Sequence, residues 1–192
     1  MTLLRVGAPG EERPAVRTED GRLRDLSGAQ GIDGAFLAAD GVDRARAAVA
    51  AGEPAELDAD GLRIGAPLAR PGEIVCIGLN HRDHAAETGA PVPARPVVFM
   101  KDPGPVVGPY DEVLIPRGSV KTDWEVELAV VVGRRARHLD GPVVLEPGDV
   151  INTGTPAGVA LGLPGTPYLR PGDTVELSVD GLGGQRQTFG QA

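Results

Sequence analysis

Two glutamates, two residues apart, are the strongest candidates for chemistry in this sequence. Glu125 and Glu127 belong to the run DWEVELAVVVG, in which apolar residues separate and follow them. In a strand this alternation places both carboxylates on one face, about 7 Å apart along the chain. Hard divalent cations such as Mg²⁺ and Mn²⁺ require carboxylate oxygens, so the pair predicts metal ligands.

The same alternation is also typical of a solvated strand face. What favours a metal is the apolar run AVVVG that follows, because it predicts an interior strand. Two unpaired carboxylates on such a strand would be costly without a cation. Burial of this strand would therefore favour the metal interpretation.

A second candidate pair lies in the segment GLNHRDHAAETGAP. His84 and Glu87 are three residues apart, so one helical turn places them on one face, where the carboxylate can orient an imidazole that takes a proton from water. The alternative is a short surface helix, capped by Asp83, with a solvated His84. His81 adds a second imidazole, but no third zinc ligand is evident nearby, since the only other histidine is His138.

A third segment, EPGDVINTGTPAGVALG, passes from a strand into a loop of small residues. Accessible N–H groups around Gly154, together with the Thr153 or Thr155 hydroxyl, could bind a carboxylate or an enolate. The alternative is an ordinary Gly/Pro turn, and the Lys-Ser/Thr ending of a phosphate loop is absent. Lys101, at the end of PVVFMK, is a candidate counter-charge, although a surface lysine is the commoner case.

The elements that position these residues are predicted to be mostly strands. The 28 glycines and 18 prolines indicate many turns. We predict strands at IVCIGLN, PVVFMK, VLIP, WEVELAVVVG, DVINTG and DTVELSV. RPGE, EPGD and RPGD, which start at residues 70, 146 and 170, each predict a tight turn that begins the next strand.

Two hairpins and one helix complete the prediction. Asp20-Gly21 joins two half-polar strands near the start, and Asp180-Gly181 leads into the final QRQTF. DRARAAVAAGE predicts a helix of about two to three turns, with Asp43 as N-cap and Gly52 at its end. The predicted class is α/β and β-rich, with few helices.

Composition excludes several kinds of protein. A chain of 192 residues allows one ordinary domain, and its formal net charge of -8 disfavours nucleic acid as a partner. Cys76 is the only cysteine, which excludes an internal disulfide and predicts a small buried hydrophobe in a reducing compartment. Neither a secretory signal pattern nor an apolar run of about 20 residues is present, so we expect a cytoplasmic protein without membrane contact.

Several segments, taken in order, resemble the fumarylacetoacetate hydrolase family: IVCIGLNHRDHAAETG, PVVFMK, VLIPRGSVKTDWEVELAVVVGR and LEPGDVINTGTPAGVALG. The resemblance covers nearly all of residues 70–179, and the start of the chain looks like the N-terminal region of bacterial members. It implies a small N-terminal region at residues 1–66 and a mixed β-roll domain at residues 67–192, often in a homodimer.

The resemblance also implies roles for the candidate residues. Glu125 and Glu127 match ligands of Mg²⁺ or Mn²⁺, which holds a small 2-oxo acid, and His84 and Glu87 match a water-activating pair. Thr155 matches a threonine that contacts the substrate. The implied enzyme is a hydrolase or lyase that performs acylpyruvate-type C–C cleavage through a metal-bound enolate. The sequence resembles isomerases and decarboxylases of the family equally well.

The middle of the sequence departs from the family. Members carry a long segment after the Glu-x-Glu strand, with an Asn-Asp motif that supplies a third metal ligand and a later lysine that contacts the substrate. Here only residues 134–144 stand in its place, and Asp140 is their sole carboxylate. His81 stands where many relatives have tyrosine. The alternative function is therefore a shortened, non-catalytic relative that binds an oxo acid or a partner chain.

Overall fold

The computed structural model describes residues 1–29, 31–58, 60–137 and 144–192. His138 and Asp140 lie outside the described residues. The chain forms two compact units. The first unit comprises residues 1–73, 102–108 and 131–150, and the second comprises residues 74–101, 109–130 and 151–192. All the predicted site residues belong to the second unit, whereas the predicted domain boundary after residue 66 remains a prediction.

The first unit begins with an antiparallel sheet of three strands: β1 (Thr2–Val6), β2 (Arg13–Arg17) and β3 (Leu23–Asp25). The predicted hairpin between β2 and β3 is confirmed, and Gly21 adopts a φ of +86° in its turn. Val16 is fully buried and packs in one cluster with Phe36 and Leu37. None of the helices in the described ranges could cross a membrane, since none is both long and apolar enough.

Two helices follow this sheet, α1 (Gly34–Ala38) and α2 (Gly41–Ala50). Asp33 caps α1 by accepting a hydrogen bond from Phe36 N at 2.9 Å, and the sequence analysis missed this helix. The predicted N-cap of α2 was wrong, because the helix begins before Asp43. The helix begins at Gly41, where a side chain has no space, since a Cβ on Gly41 would lie 2.5 Å from the Phe36 ring.

The remaining strands form two sheets. The elements in chain order are β4 (Ile74–Gly78), α3 (Arg82–Glu87), β5 (Val97–Lys101), β6 (Val113–Ile115), β7 (Ala129–Val131), β8 (Val150–Asn152), a 3₁₀ turn (Ala160–Gly162), β9 (Thr174–Val179) and β10 (Gly183–Gln191). One sheet has the order β5-β4-β8-β7, and the other has the order β6-β10-β9. Since β10 runs parallel to β6 and antiparallel to β9, the second sheet is mixed.

Several local predictions for these strands are confirmed. Asp180-Gly181 begins the turn between β9 and β10, and Cys76 is 1% exposed in the middle of β4. EPGD and RPGD form turns, in which Asp149 N donates to Glu146 O and Asp173 N to Arg170 O, each at 3.1 Å. RPGE precedes β4 without a turn of this kind, because its Gly72 lies against the Asp149 carboxylate.

The interior strand predicted from WEVELAVVVG was wrong in two respects. Regular pairing is confined to β7, so the two glutamates lie in an extended segment that precedes the strand. All three residues of β7 are exposed, and Val130 retains 46% of its accessible surface. An apolar strand is buried only where other parts of the chain cover it. Because β7 lies at the end of the described strands in its sheet, no described strand pairs with its outer edge.

Asp149 offers a test of the turn that leads into β8. Its carboxylate is 4% exposed and accepts hydrogen bonds from Glu73 N at 2.8 Å and Glu146 N at 2.7 Å. Asp149→Ala should lower the free energy of unfolding by about 3 kcal/mol, because two amides lose their acceptor where water cannot replace it. Urea denaturation of the variant and the wild type would measure this loss.

The matched control for this prediction is Asp173→Ala. Asp173 makes the same turn bond, accepting from Arg170 N at 2.7 Å, but at an exposed position. Water can replace this acceptor, so the loss should be below about 1 kcal/mol. Equal losses for the two variants would contradict the importance of burial at Asp149.

Candidate functional site

One positive group lies between the two glutamate carboxylates. Lys101 Nζ donates to Glu125 Oε2 at 2.7 Å and to Glu127 Oε1 at 3.4 Å. Lys101 ends β5, whose pairing with β4 places it opposite Ile74. The two carboxylates therefore converge on a single positive group, the lysine ammonium, whereas their role as metal ligands remains a prediction.

The environment keeps this ammonium charged. Partial burial alone would lower the pKa of Lys101, but the hydrogen bond to Glu125 and the charges of Glu125 and Glu127 outweigh it and raise this pKa above the ordinary value of 10.5. The Lys101 side chain remains 41% exposed. Solvent therefore screens the interaction, and the side chain has space to move.

Glu127 is the more enclosed of the two carboxylates. Its side chain is 10% exposed, compared with 42% for Glu125. Glu127 Oε2 accepts a hydrogen bond from Gly154 N at 2.6 Å, and Oε1 faces Lys101 and, at 3.5 Å, Asn152 Nδ2. These donors fix the direction of the Glu127 carboxylate before any ligand binds.

The arrangement fits a divalent cation that takes part of its shell from elsewhere. The two carboxylates already meet at one positive group, and Mg²⁺ is commonly bound by one or two carboxylates together with water and substrate oxygens. Within the described ranges, no three His, Cys, Asp or Glu residues form a group that could hold a metal. A divalent cation here would meet two protein carboxylates and would take its remaining oxygens from the substrate or from water.

The second predicted pair also forms. His84 Nδ1 and Glu87 Oε1 lie 2.7 Å apart on α3, and both side chains are 14% exposed. The alternative of a solvated His84 beside a capping Asp83 was wrong, because His81 occupies the N-cap position and Asp83 lies within the first turn. Thr88 Oγ1 donates to His84 O at 2.9 Å and closes the end of this short helix.

Glu87 is held in its ionised form. The hydrogen bond from His84 and a second one from Gly158 N, at 2.9 Å to Oε2, lower the pKa of Glu87 below its ordinary value of 4.5. A carboxylate can only accept at neutral pH, so the proton of the shared bond lies on His84 Nδ1. In a neutral imidazole with this tautomer, the lone pair lies on the other ring nitrogen, Nε2.

One loop links the two pairs. Its Gly154 N–H binds Glu127 and its Gly158 N–H binds Glu87, so residues 154–158 contact both clusters. The Trp124 indole donates to Gly158 O at 2.9 Å and holds the loop against the segment that bears the glutamates. The loop is therefore a structural bridge between the carboxylates and the histidine.

Asp123 anchors the far end of this loop, and the sequence analysis did not identify it. Its carboxylate accepts hydrogen bonds from Ala160 N at 2.7 Å and Leu161 N at 2.9 Å, where the 3₁₀ turn begins. Asn80 holds the near end by donating to Thr153 O at 2.7 Å. Their positions, an aspartate that begins DWEVEL and an asparagine two residues after β4, are the only sequence signals of these roles.

The loop groups predicted to bind the substrate have protein partners in the structure. Gly154 N donates to Glu127, and Thr155 Oγ1 accepts from Val126 N at 3.2 Å and donates to Pro156 O at 3.3 Å. Thr155 is also 5% exposed. The substrate-binding roles of Gly154, Thr155 and Lys101 remain predictions, and the visible role of all three is to order the site.

Comparison with a family of known proteins gives the same assignment as the sequence motifs. A sequence profile described as "Fumarylacetoacetate (FAA) hydrolase C-terminal" matches residues 73–143 and residues 141–190. The two matches meet inside the region where the shortened segment was predicted. The profile thus accounts for the chain on both sides of that junction.

Curated relatives extend this likeness to the whole chain. A protein named as a hydrolase in Burkholderia ambifaria is 33% identical over 285 aligned positions, which cover 98% of each protein. One from Burkholderia multivorans is 35% identical over 284 positions, covering 97% of this chain and 98% of that protein. Both alignments are longer than the 192 residues present here, so the relatives contain residues without a counterpart in this chain.

Solved structures share the fold. An HpcE protein from Mycobacterium smegmatis has a TM-score of 0.78 at 25% identity, over 98% of this chain and 99% of that one. Fumarylacetoacetate hydrolase from Exiguobacterium antarcticum has a TM-score of 0.75 at 22% identity over both full chains. Maleylpyruvate hydrolase from Sphingobium, in complex with manganese(II) and pyruvate, has a TM-score of 0.74 at 17% identity, also over both full chains. The predicted β-rich α/β fold of this family is confirmed.

Gly154 provides a test of the loop geometry. It adopts a φ of +92°, and a Cβ there would lie 2.6 Å from Ile77 O. Gly158 adopts a φ of +117° with open space around the same position. Gly154→Ala should therefore lower the free energy of unfolding by at least about 1 kcal/mol more than Gly158→Ala, because it adds a steric clash to backbone strain. Thermal or urea unfolding would measure the difference, and equal losses would contradict the tight packing at Gly154.

The hydrogen bond between His84 and Glu87 on α3 predicts a pH dependence of stability. Because the pKa of Glu87 is lowered in the folded state, its ionised form stabilises the fold above the ordinary value of 4.5, and this contribution is lost as the pH falls through the folded-state pKa. The difference in free energy of unfolding between the wild type and Glu87→Gln should thus be largest near neutral pH and shrink below pH 4.5. A difference that stays constant into acid would show that Glu87 has no lowered pKa.

Proposed function

The chain belongs to the fumarylacetoacetate hydrolase family, and on this premise we propose that it is a divalent-metal-dependent hydrolase or lyase acting on a small 2-oxo acid. The observation that carries the proposal is the convergence of Glu125 and Glu127 on one cation position beside the loop that also binds Glu87. Acylpyruvate-type C–C cleavage is the reaction that we favour. Isomerisation and decarboxylation of related acids are the alternatives within the family.

The two glutamates would hold the cation, Mg²⁺ or Mn²⁺. When bound, such a cation supplies a Lewis acid that polarises carboxylate and keto oxygens of an oxo acid. Gly154 N–H fixes Glu127 Oε2 at 2.6 Å, which leaves Oε1 directed at the cation position. Carboxylate oxygens are hard ligands and favour these ions over zinc, which prefers nitrogen and sulfur.

His84 is the proposed general base. Ionised Glu87 accepts a hydrogen bond from His84 Nδ1 at 2.7 Å. In the neutral imidazole, Nε2 can then take a proton from water or from the substrate. Glu87 itself is held on its other oxygen by Gly158 N. The histidine therefore has a fixed tautomer and a fixed ring direction, which a base on a short helix otherwise lacks.

A solved relative of the same fold supports the choice of substrate class. The Sphingobium maleylpyruvate hydrolase structure contains manganese(II) and pyruvate, and pyruvate is a 2-oxo acid. Other neighbours include a 2-hydroxyhepta-2,4-diene-1,7-dioate isomerase from Mycobacterium abscessus and a 5-carboxymethyl-2-hydroxymuconate isomerase from Mycobacterium smegmatis. The names of all these proteins refer to small carboxylic acids as ligands or substrates, which supports a small acid as the ligand of this site.

A second candidate function follows from the incomplete ligand set. Among the described residues only two carboxylates approach the cation position, and no group of three possible ligands is present. A relative with weakened metal binding could retain affinity for an oxo acid or a partner chain without turnover. The homodimer and the cytoplasmic location expected from the sequence are part of the proposal for either function.

Metal binding and turnover separate these two candidates. With Mn²⁺ present, the wild type should convert oxaloacetate or acetylpyruvate, and His84→Ala should lower kcat by about 10²–10⁴-fold, because it removes the proton acceptor. Glu125→Ala should abolish Mn²⁺ binding, measured by calorimetric titration. His81→Ala is the matched histidine control and should retain activity. Absence of Mn²⁺ binding by the wild type at millimolar concentrations would contradict the proposed enzyme, whereas binding without turnover would favour the non-catalytic relative.

A further inference from the structure

The ammonium of Lys101 uses the oxygens that a metal ion would need. Nζ lies 2.7 Å from Glu125 Oε2 and 3.4 Å from Glu127 Oε1. The other oxygen of Glu127 is occupied by Gly154 N at 2.6 Å, a bond of the rigid loop. The oxygen of Glu127 without a backbone partner is thus the one that faces Lys101, and a cation that contacts both carboxylates is expected to approach it.

An ammonium and a divalent cation cannot share this position. Both are positive, and at contact distance their repulsion opposes joint occupancy. Lysine is a compact charge on a flexible stem of four carbons, and its side chain here is 41% exposed. The side chain can move away from the carboxylates without disturbing β5, because only the backbone of Lys101 takes part in the pairing of this strand.

We propose that Lys101 is a built-in competitor of the metal: it neutralises Glu125 and Glu127 in the metal-free protein and is displaced when the divalent cation binds. The inference rests on the proposed function, since it concerns the same site. It assigns Lys101 a positioning role that precedes any contact with the substrate. A site with two carboxylates thereby remains ordered without metal, at the expense of metal affinity.

Two consequences of opposite sign follow from this exchange. Removing the ammonium should increase the affinity for Mn²⁺, because the ion no longer displaces a bonded positive group. It should also lower the melting temperature of the metal-free protein, because Glu125 and Glu127 then repel each other without a counter-charge. Removal of an exposed lysine with no role at this site would produce neither effect.

The test uses Mn²⁺ alone as the probe and Lys101→Met as the main variant. Calorimetric titration should show a dissociation constant at least about fivefold lower for Lys101→Met than for the wild type, as expected for a competing site. Thermal unfolding should show a lower melting temperature for metal-free Lys101→Met and a larger rise on adding Mn²⁺. Lys101→Arg keeps the charge and should bind Mn²⁺ no more tightly than the wild type.

Lys121→Met is the control for net charge, because Lys101 and Lys121 are the two lysines of the sequence. Its Mn²⁺ affinity should match that of the wild type. Equal or weaker Mn²⁺ binding by Lys101→Met than by a wild type that does bind would overturn the exchange and leave the proposed function intact. Failure of the wild type and of every variant to bind Mn²⁺ would overturn the exchange and the proposed function together.

Discussion

Two like-charged carboxylates held close together need a positive partner, and this constraint shapes the second unit. Glu127 is largely enclosed, and its two oxygens are met by a backbone amide and an ammonium. An enclosed charge without such partners would be strongly unfavourable. The loop at Gly154 and the end of β5 at Lys101 are therefore parts of one arrangement whose centre is the glutamate pair.

The same loop extends the arrangement to the proposed base. The N–H of Gly158 donates to Glu87, and the carbonyl of Gly158 accepts from Trp124. Asp123 accepts from the 3₁₀ turn that follows. Each bond involves a main-chain group of the loop, so its side chains can stay small. This explains why a run of small residues, rather than a set of polar ones, connects the carboxylates with His84.

Much of this organisation could be predicted from local sequence patterns. The hairpin at Asp180-Gly181 and the helical turn that joins His84 to Glu87 depend on residues a few positions apart, and both are observed. Burial of the strand after Glu127 was predicted wrongly, because burial depends on which distant chain covers a strand. Its residues are exposed at β7, which ends the order of the described strands in its sheet.

Contacts between distant segments could not be predicted from local patterns. The bonds of Lys101 to Glu125 and Glu127 join residues 24 and 26 positions apart in the chain. No local motif predicts the bonds of Asp123 to Ala160 and Leu161, which are 37 and 38 residues away. Such pairs depend on the sheet and loop arrangement, which periodicity and turn rules do not specify.

The central claim is that Glu125 and Glu127 form a divalent cation site in a shortened member of the family. Anomalous X-ray scattering from crystals soaked in Mn²⁺ tests it most directly, because the signal locates the metal itself. The account predicts an anomalous peak within coordination distance of both carboxylates, with the Lys101 ammonium moved away from them. A fully soaked crystal with no peak between these glutamates, and with Lys101 still bonded to them, would contradict it.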